Sequence, residues 1–158
     1  MRLTITVMMM IFLSACGFTP VYRTKPPLQT LSSIEIAIIA NREGQIVRNH
    51  LIDRLYRNGY PSNPRYRLVV SSIAENIVEI GIDKDDEASR AQLRLSAELQ
   101  LYDTAEDKRI LIRNVRATTG YNILAGQFTT FVTEEDARKQ GLRAISDNII
   151  TQLELHFK

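Results

Sequence analysis

Residues 91–101 read AQLRLSAELQL, and their alternation constrains how the rest of the chain must fold. Ala91, Leu93, Leu95, Ala97, Leu99 and Leu101 fall on one phase, with Gln92, Arg94, Ser96, Glu98 and Gln100 on the other. Successive side chains of a strand point to opposite faces, so a strict period of two makes one apolar and one polar face. Such a strand belongs to an antiparallel sheet that is packed on one side and wet on the other. Its apolar face needs a cover, and the flanking sequence supplies one.

Downstream, the polar loop 103–108 leads to a partner strand at 109–119. Upstream, 66–80 reads as a long strand with Tyr66, Leu68 and Val70 in phase. The phase then drifts through Ile73, Ile77 and Ile80, which predicts a bulge or bend. Residues 33–40 (SIEIAIIA) form a further strand, with Ile34, Ile36 and Ile38 on one side.

Two other segments repeat at helical spacing. In 44–58, Val47, Leu51 and Leu55 form a stripe flanked by Ile46, Ile52 and Tyr56. Asn58-Gly59-Tyr60-Pro61 ends this helix: glycine takes the left-handed position past the cap, and proline blocks continuation. Near the C-terminus, Leu142, Ile145, Ile149 and Leu153 point inward from a helix running to about Phe157. Thr133-Glu134-Glu135-Asp136 resembles a capping box that would start it, with acid in the first turn to favour the helix dipole. The order βαβββα predicts an α+β two-layer sandwich: a four-stranded, mainly antiparallel sheet with two helices on one face.

The ends and the composition set the setting. Met1-Arg2 is followed by an apolar run, 3–13 (LTITVMMMIFL), much shorter than the roughly 20 residues of a membrane span. Ser14 and Ala15 then lead into Cys16, the single cysteine of the chain. Leu13-Ser14-Ala15-Cys16 resembles the bacterial lipobox, whose cysteine is lipid-modified and opens the mature chain. The competing reading is an ordinary secretory signal with a coincidental cysteine. On the lipobox reading the thiol is locked in a thioether, so catalytic and disulfide roles lapse together. The exported domain then folds on core burial alone. Two or three acyl chains, as such a cysteine carries, give stable anchoring where one would not. Gly17 in place of Asp implies passage to the outer membrane. The expected organisation is a signal peptide at 1–15, a lipidated N-terminus and extended tether at 16–32, and one α+β domain at 33–158. The tether contains Pro20, Pro26 and Pro27.

Candidate chemistry is sparse. A net charge of +2 over 158 residues argues against general nucleic-acid binding, which wants a clustered basic face. His50 and His156 sit on different helices without metal-ligand spacing, so no metal or cofactor is expected. The acidic run 83–87 (DKDDE) lacks the order of a calcium loop and reads as a solvated hairpin tip. No catalytic motif is present, and an enzyme is not expected. The arginines remain. Arg90 and Arg94 open the alternating strand, and Arg113 and Arg116 lie along its partner. A guanidinium fork binds two phosphate oxygens at once. Against this stands a plain cross-strand pair: if Tyr102 faces Arg109, then Glu98 faces Arg113.

Cys16 followed by Gly17-Phe18-Thr19-Pro20-Val21-Tyr22 resembles the opening of the LptE family of lipopolysaccharide-assembly lipoproteins. Gly120-Tyr121-Asn122-Ile123-Leu124, Gln127-Phe128 and Thr133-Glu134-Glu135-Asp136-Ala137 before an amphipathic helix are similar to the same family, as is the element order. The resemblance spans essentially the whole mature chain. It implies an outer-membrane lipoprotein of a Gram-negative cell that plugs and helps assemble the LptD β-barrel and binds lipopolysaccharide. It transfers no catalytic residues. Its lipopolysaccharide contacts do not align residue by residue, so Arg90, Arg94, Arg113 and Arg116 stand as candidates from the strand reading alone. The alternative is an auxiliary lipoprotein of an ABC-type lipid transport system.

Overall fold

The computed structural model describes residues 28–57, 59–82, 88–123 and 126–158. Cys16, the tether up to Pro27, the acidic run 83–87 and Leu124 lie outside the described residues. Within them the chain runs α1 (Leu28–Ser32), β1 (Ile34–Ile36), α2 (Asn41–Leu55), β2 (Tyr66–Val70), β3 (Ala74–Ile82), β4 (Ala88–Asp103), β5 (Lys108–Asn122) and α3 (Gln127–His156).

The alternating segment sits at the centre of β4, and everything else is arranged around it. One side of β4 carries β2 and β3 end to end; the other carries β5 along its whole length. β1 adds to β2 in parallel, so the sheet is mixed but mainly antiparallel. Leu93, Leu95, Leu99 and Leu101 are sealed from solvent, together with Val47 and Leu51 of α2 and Leu142, Ile145, Ile149 and Leu153 of α3. All join one core cluster, so both long helices cover the same face. That is the expected two-layer sandwich.

Several details depart from the sequence reading, each for a physical reason. The long strand 66–80 is two strands, because one extra residue is inserted where the phase drifts. Val70 pairs with Leu99 and Ala74 with Ser96, so four residues advance on this side against three on β4. The sheet therefore has five strands rather than four. β1 is shorter than expected and stops at Ile36. The chain then leaves the sheet, so Ile38 is 87% exposed and Ile39 is buried in its place. α2 begins at Asn41 and ends at Leu55, with Tyr56 as its cap residue. Gly59 does adopt a left-handed φ of 98°, but it lies beyond the helix end and donates its N–H back to the Tyr56 carbonyl. A third, short helix, α1, carries Leu31 into the core.

The largest departure is α3. It starts at Gln127, capped by the backbone of Gly126, so Thr133-Glu134-Glu135-Asp136 lies inside the helix and caps nothing. Thr133 Oγ1 instead donates to the carbonyls of Asn122 and Thr130. The first turns project past the core, where Phe128 (80% exposed), Phe131 and Val132 meet solvent. Phe128, Phe131 and Val132 do recur at helical spacing, but they face solvent and not the core, and the reading began too late because it took Thr133 to Asp136 as the cap.

Candidate functional site

The uncovered face of the sheet is built by the even-numbered residues of β4 and β5. Its two halves differ in chemistry. Towards the Asp103 end, Tyr102 donates to Gln100 Oε1 at 2.6 Å and Gln100 donates to Glu98 Oε1 at 2.6 Å. These polar groups satisfy one another. Towards the other end lie Arg90, Gln92 and Arg94 of β4, opposite Asn122, Gly120 and Thr118 of β5, with Arg116 opposite Ser96. Arg94 Nη2 donates to Gln92 Oε1 at 3.1 Å. No carboxylate among the described residues pairs with Arg90, Arg94 or Arg116, since the ion pairs all lie elsewhere.

Two shallow depressions mark this half. One, of about 430 Å³, is lined by Asn76, Arg94, Ser96, Arg116 and Thr118 along with Glu75. The other, of about 440 Å³, is lined by Ile80, Arg90, Gln92, Thr118, Gly120 and Asn122. Three guanidinium forks beside amide and hydroxyl donors, with the half-exposed Ile80 at the margin, suit an anionic ligand that also has apolar parts. Planar bidentate donation favours phosphate or carboxylate over neutral polar groups.

Arg113 is not part of this set. It faces Leu99 and so lies on the helix side, at the sheet edge, where its Nη1 donates to the Ile112 carbonyl at 2.9 Å. The expected Glu98–Arg113 pair does not form either. Tyr102 does face Arg109, but a bulge beside Leu101 inserts one residue into β5, so Glu98 faces Asn114. A one-residue slip moves every side chain beyond it to the other face. The structure thus gathers Arg90, Arg94 and Arg116 and separates Arg113 from them.

Behind the basic half, an ionic clamp that the sequence reading missed ties α3 to the sheet. Arg138 bonds Glu75 of β3 at 2.7 Å, Glu134 at 2.6 Å and Glu135 at 2.6 Å, and is 17% exposed. Hydrogen bonding to Glu75, opposed in part by burial, raises the guanidinium pKa further and keeps it charged. The Tyr121 hydroxyl reaches Glu134 Oε2 at 3.5 Å, and burial followed by that carboxylate pushes the phenol pKa up. Because Glu75 is spoken for by Arg138, it does not neutralise the arginines on the open face. The i, i+4 spacing of Glu134 and Arg138 was the available signal, masked by the capping-box reading. His50 and His156 remain apart. His50 shares a small notch with Arg54, Arg143, Ser146 and Asp147, and no group of three potential metal ligands forms among the described residues.

Fold and face define a class: a two-layer α+β domain with one sheet face covered by helices and the other left as an uncovered, partly basic surface. The chain belongs to the LptE family, described as lipopolysaccharide-assembly, which matches residues 31–153. Solved structures similar to it include several lipoproteins. A lipoprotein from Caulobacter crescentus CB15 superposes with a TM-score of 0.63 at 18% identity, covering 82% of this chain and 94% of that one. The rare lipoprotein B of Shewanella oneidensis gives 0.60 at 10% identity, over 76% and 92%. A minor lipoprotein from Acinetobacter baumannii gives 0.56 at 18% identity, over 77% and 88%. At these identities the neighbours establish the shared fold. No curated protein sequence matches the chain.

Proposed function

We propose that this chain is a non-enzymatic outer-membrane lipoprotein, anchored through Cys16, that plugs and helps assemble the LptD β-barrel. In that setting it binds lipopolysaccharide on its way to the outer leaflet. The observation that carries the reading is the family match across nearly the whole folded domain. The physical chemistry supports it. The lumen of an outer-membrane barrel is polar, and a rigid sandwich with a wet sheet face suits such a lumen better than an apolar one. None of the described helices is long and apolar enough to cross a membrane, in keeping with attachment by lipid and by partner. Acyl anchoring raises the local concentration near a membrane partner without any new contact.

Lipopolysaccharide joins phosphates to acyl chains. Arg90, Arg94 and Arg116 present forks for the phosphates, and Ile80 adds apolar surface beside them. Arg113, on the opposite face, serves as a built-in control. The test of the assembly role is co-purification of the lipidated chain from membranes under mild detergent. Recovery with the LptD barrel, and loss of lipopolysaccharide export on depletion, is expected. Recovery with the components of an inner-membrane ABC transporter instead would replace this reading with the auxiliary-lipoprotein one.

A further inference from the structure

β1, β3 and β5 each have one strand partner and so lie at edges of the sheet, and β1 and β5 are treated differently. At β1 three outward backbone groups are taken. The Tyr56 hydroxyl accepts from the Ile36 N–H at 3.1 Å and donates to the Ile34 carbonyl at 2.7 Å. Arg48 Nη2 donates to the Ile36 carbonyl at 3.4 Å. A strand arriving there would find those hydrogen-bonding positions filled.

β5 is the opposite case. It is 15 residues long and forms an edge of the sheet. The Ile123 N–H bonds the Ser89 carbonyl, and on the other side of β4 the Glu98 carbonyl accepts from Ser71. Odd-numbered β5 residues therefore bond β4, and even-numbered ones, from Ile112 to Asn122, turn their N–H and C=O groups outward. Side chains take only three of those groups among the described residues, all carbonyls. Arg113 reaches that of Ile112, Asn148 that of Arg116, and Thr133 that of Asn122. Among the described residues the outward amides of Asn114, Thr118 and Gly120 have no partner, and these residues are exposed. An unblocked edge of this length is a template for another strand.

We infer that β5 is a strand-addition site whose occupant is an extended segment of a partner protein carrying acidic side chains. Lys108, Arg109, Arg113 and Arg116 give β5 four positive charges and no negative one. A second copy pairing β5 with β5 would set like charges opposite each other, which is unfavourable. The chain's own segment 17–27 is basic through Arg23 and Lys25, and its three prolines each remove a ladder donor. β3 of another copy offers Glu75 and Glu79, but Arg138 already holds Glu75. A head-to-tail β3–β5 contact would also propagate as an open filament. A basic edge thus repels its own kind and favours an acidic strand.

The test is amide exchange measured by NMR on the full-length chain in detergent micelles. The probes are a 12-residue peptide alternating Glu and Val, its Lys–Val counterpart, and the Glu–Val peptide with alternate backbone N-methylation. The acidic peptide is expected to slow exchange at Asn114, Thr118 and Gly120 at least ten-fold, and the other two to leave it unchanged. Thr118→Pro, which removes an outward N–H that the fold does not use, should abolish this protection. Should that variant fold poorly, the charge swap Lys108→Glu, Arg109→Glu and Arg113→Glu, which leaves β5 net negative with Arg116 in place, should transfer protection to the lysine peptide. No protection by the acidic peptide, or equal protection by the N-methylated or basic peptide, overturns the proposal. Protection that grows with protein concentration in the absence of peptide would assign the edge to a second copy and also overturn it.

Discussion

The two faces of β4 are made by alternate residues of one eleven-residue stretch, yet they respond to different demands. On the helix-covered face Leu93, Leu95, Leu99 and Leu101 are sealed from solvent, and each fills a space shaped by α2 or α3. On the other face Gln92 and Arg94, with Arg90 just before the stretch, meet solvent and carry no core packing. The covered face should therefore be sensitive to volume and insensitive to charge chemistry elsewhere, and the open face the reverse. The comparison predicts that stability and ligand binding separate along the strand with a period of two.

The largest effect should come from the covered face. Leu99→Ala is expected to cost about 3 kcal/mol, the usual range for a buried leucine whose cavity collapses only in part. Its open-face neighbour in kind, Gln92→Ala, should stay within about 0.5 kcal/mol. Urea unfolding of both variants checks this, and a similar loss in the two would break the comparison. Next comes the clamp. Arg138→Met leaves Glu75, Glu134 and Glu135 without their shared partner and should cost about 2 kcal/mol, read from the same unfolding curves. Because Glu75 also borders the depression lined by Arg94 and Arg116, its release from Arg138 should weaken lipopolysaccharide binding by the folded variant as well.

A smaller loss is expected at Gly141. A Cβ there would lie 2.7 Å from Leu95 Cδ1, the movable end of a side chain, so Gly141→Ala should cost about 1 kcal/mol through local overpacking. A thermal melt would show a small decrease in Tm; a gain would mean that Leu95 has room to move aside. The smallest change in stability should be on the open face. Arg94→Glu is expected to alter unfolding by less than about 0.5 kcal/mol, because no carboxylate among the described residues pairs with Arg94, while weakening lipopolysaccharide binding.

What could be read from the sequence follows the same division. The covered face was legible because burial forces periodicity: the leucines of β4 and the stripes of α2 and α3 all lie where their spacing put them. Tyr66 to Ile80 even announced its bulge through the drift in phase. The open face was legible only in part. Polar residues obey no period of their own, so their placement depends on register, and the bulge beside Leu101 shifted Arg113 away from Glu98. The start of α3 was hidden for a related reason. Its first turns bury almost nothing, and the acids at Glu134 and Glu135 that suggested a cap are the partners of Arg138. No spacing within one element could reveal Glu75, which approaches from β3.

The central claim is that the basic half of the open face holds lipopolysaccharide while the covered face holds the fold. It is tested most directly by measuring lipopolysaccharide binding to the purified chain with Arg90, Arg94 and Arg116 all changed to Glu, beside Arg113→Glu. The account predicts at least a ten-fold loss of affinity for the triple variant at unchanged unfolding stability, and near-normal affinity for Arg113→Glu. Undiminished binding by the triple variant, or an equal loss in both, would contradict it.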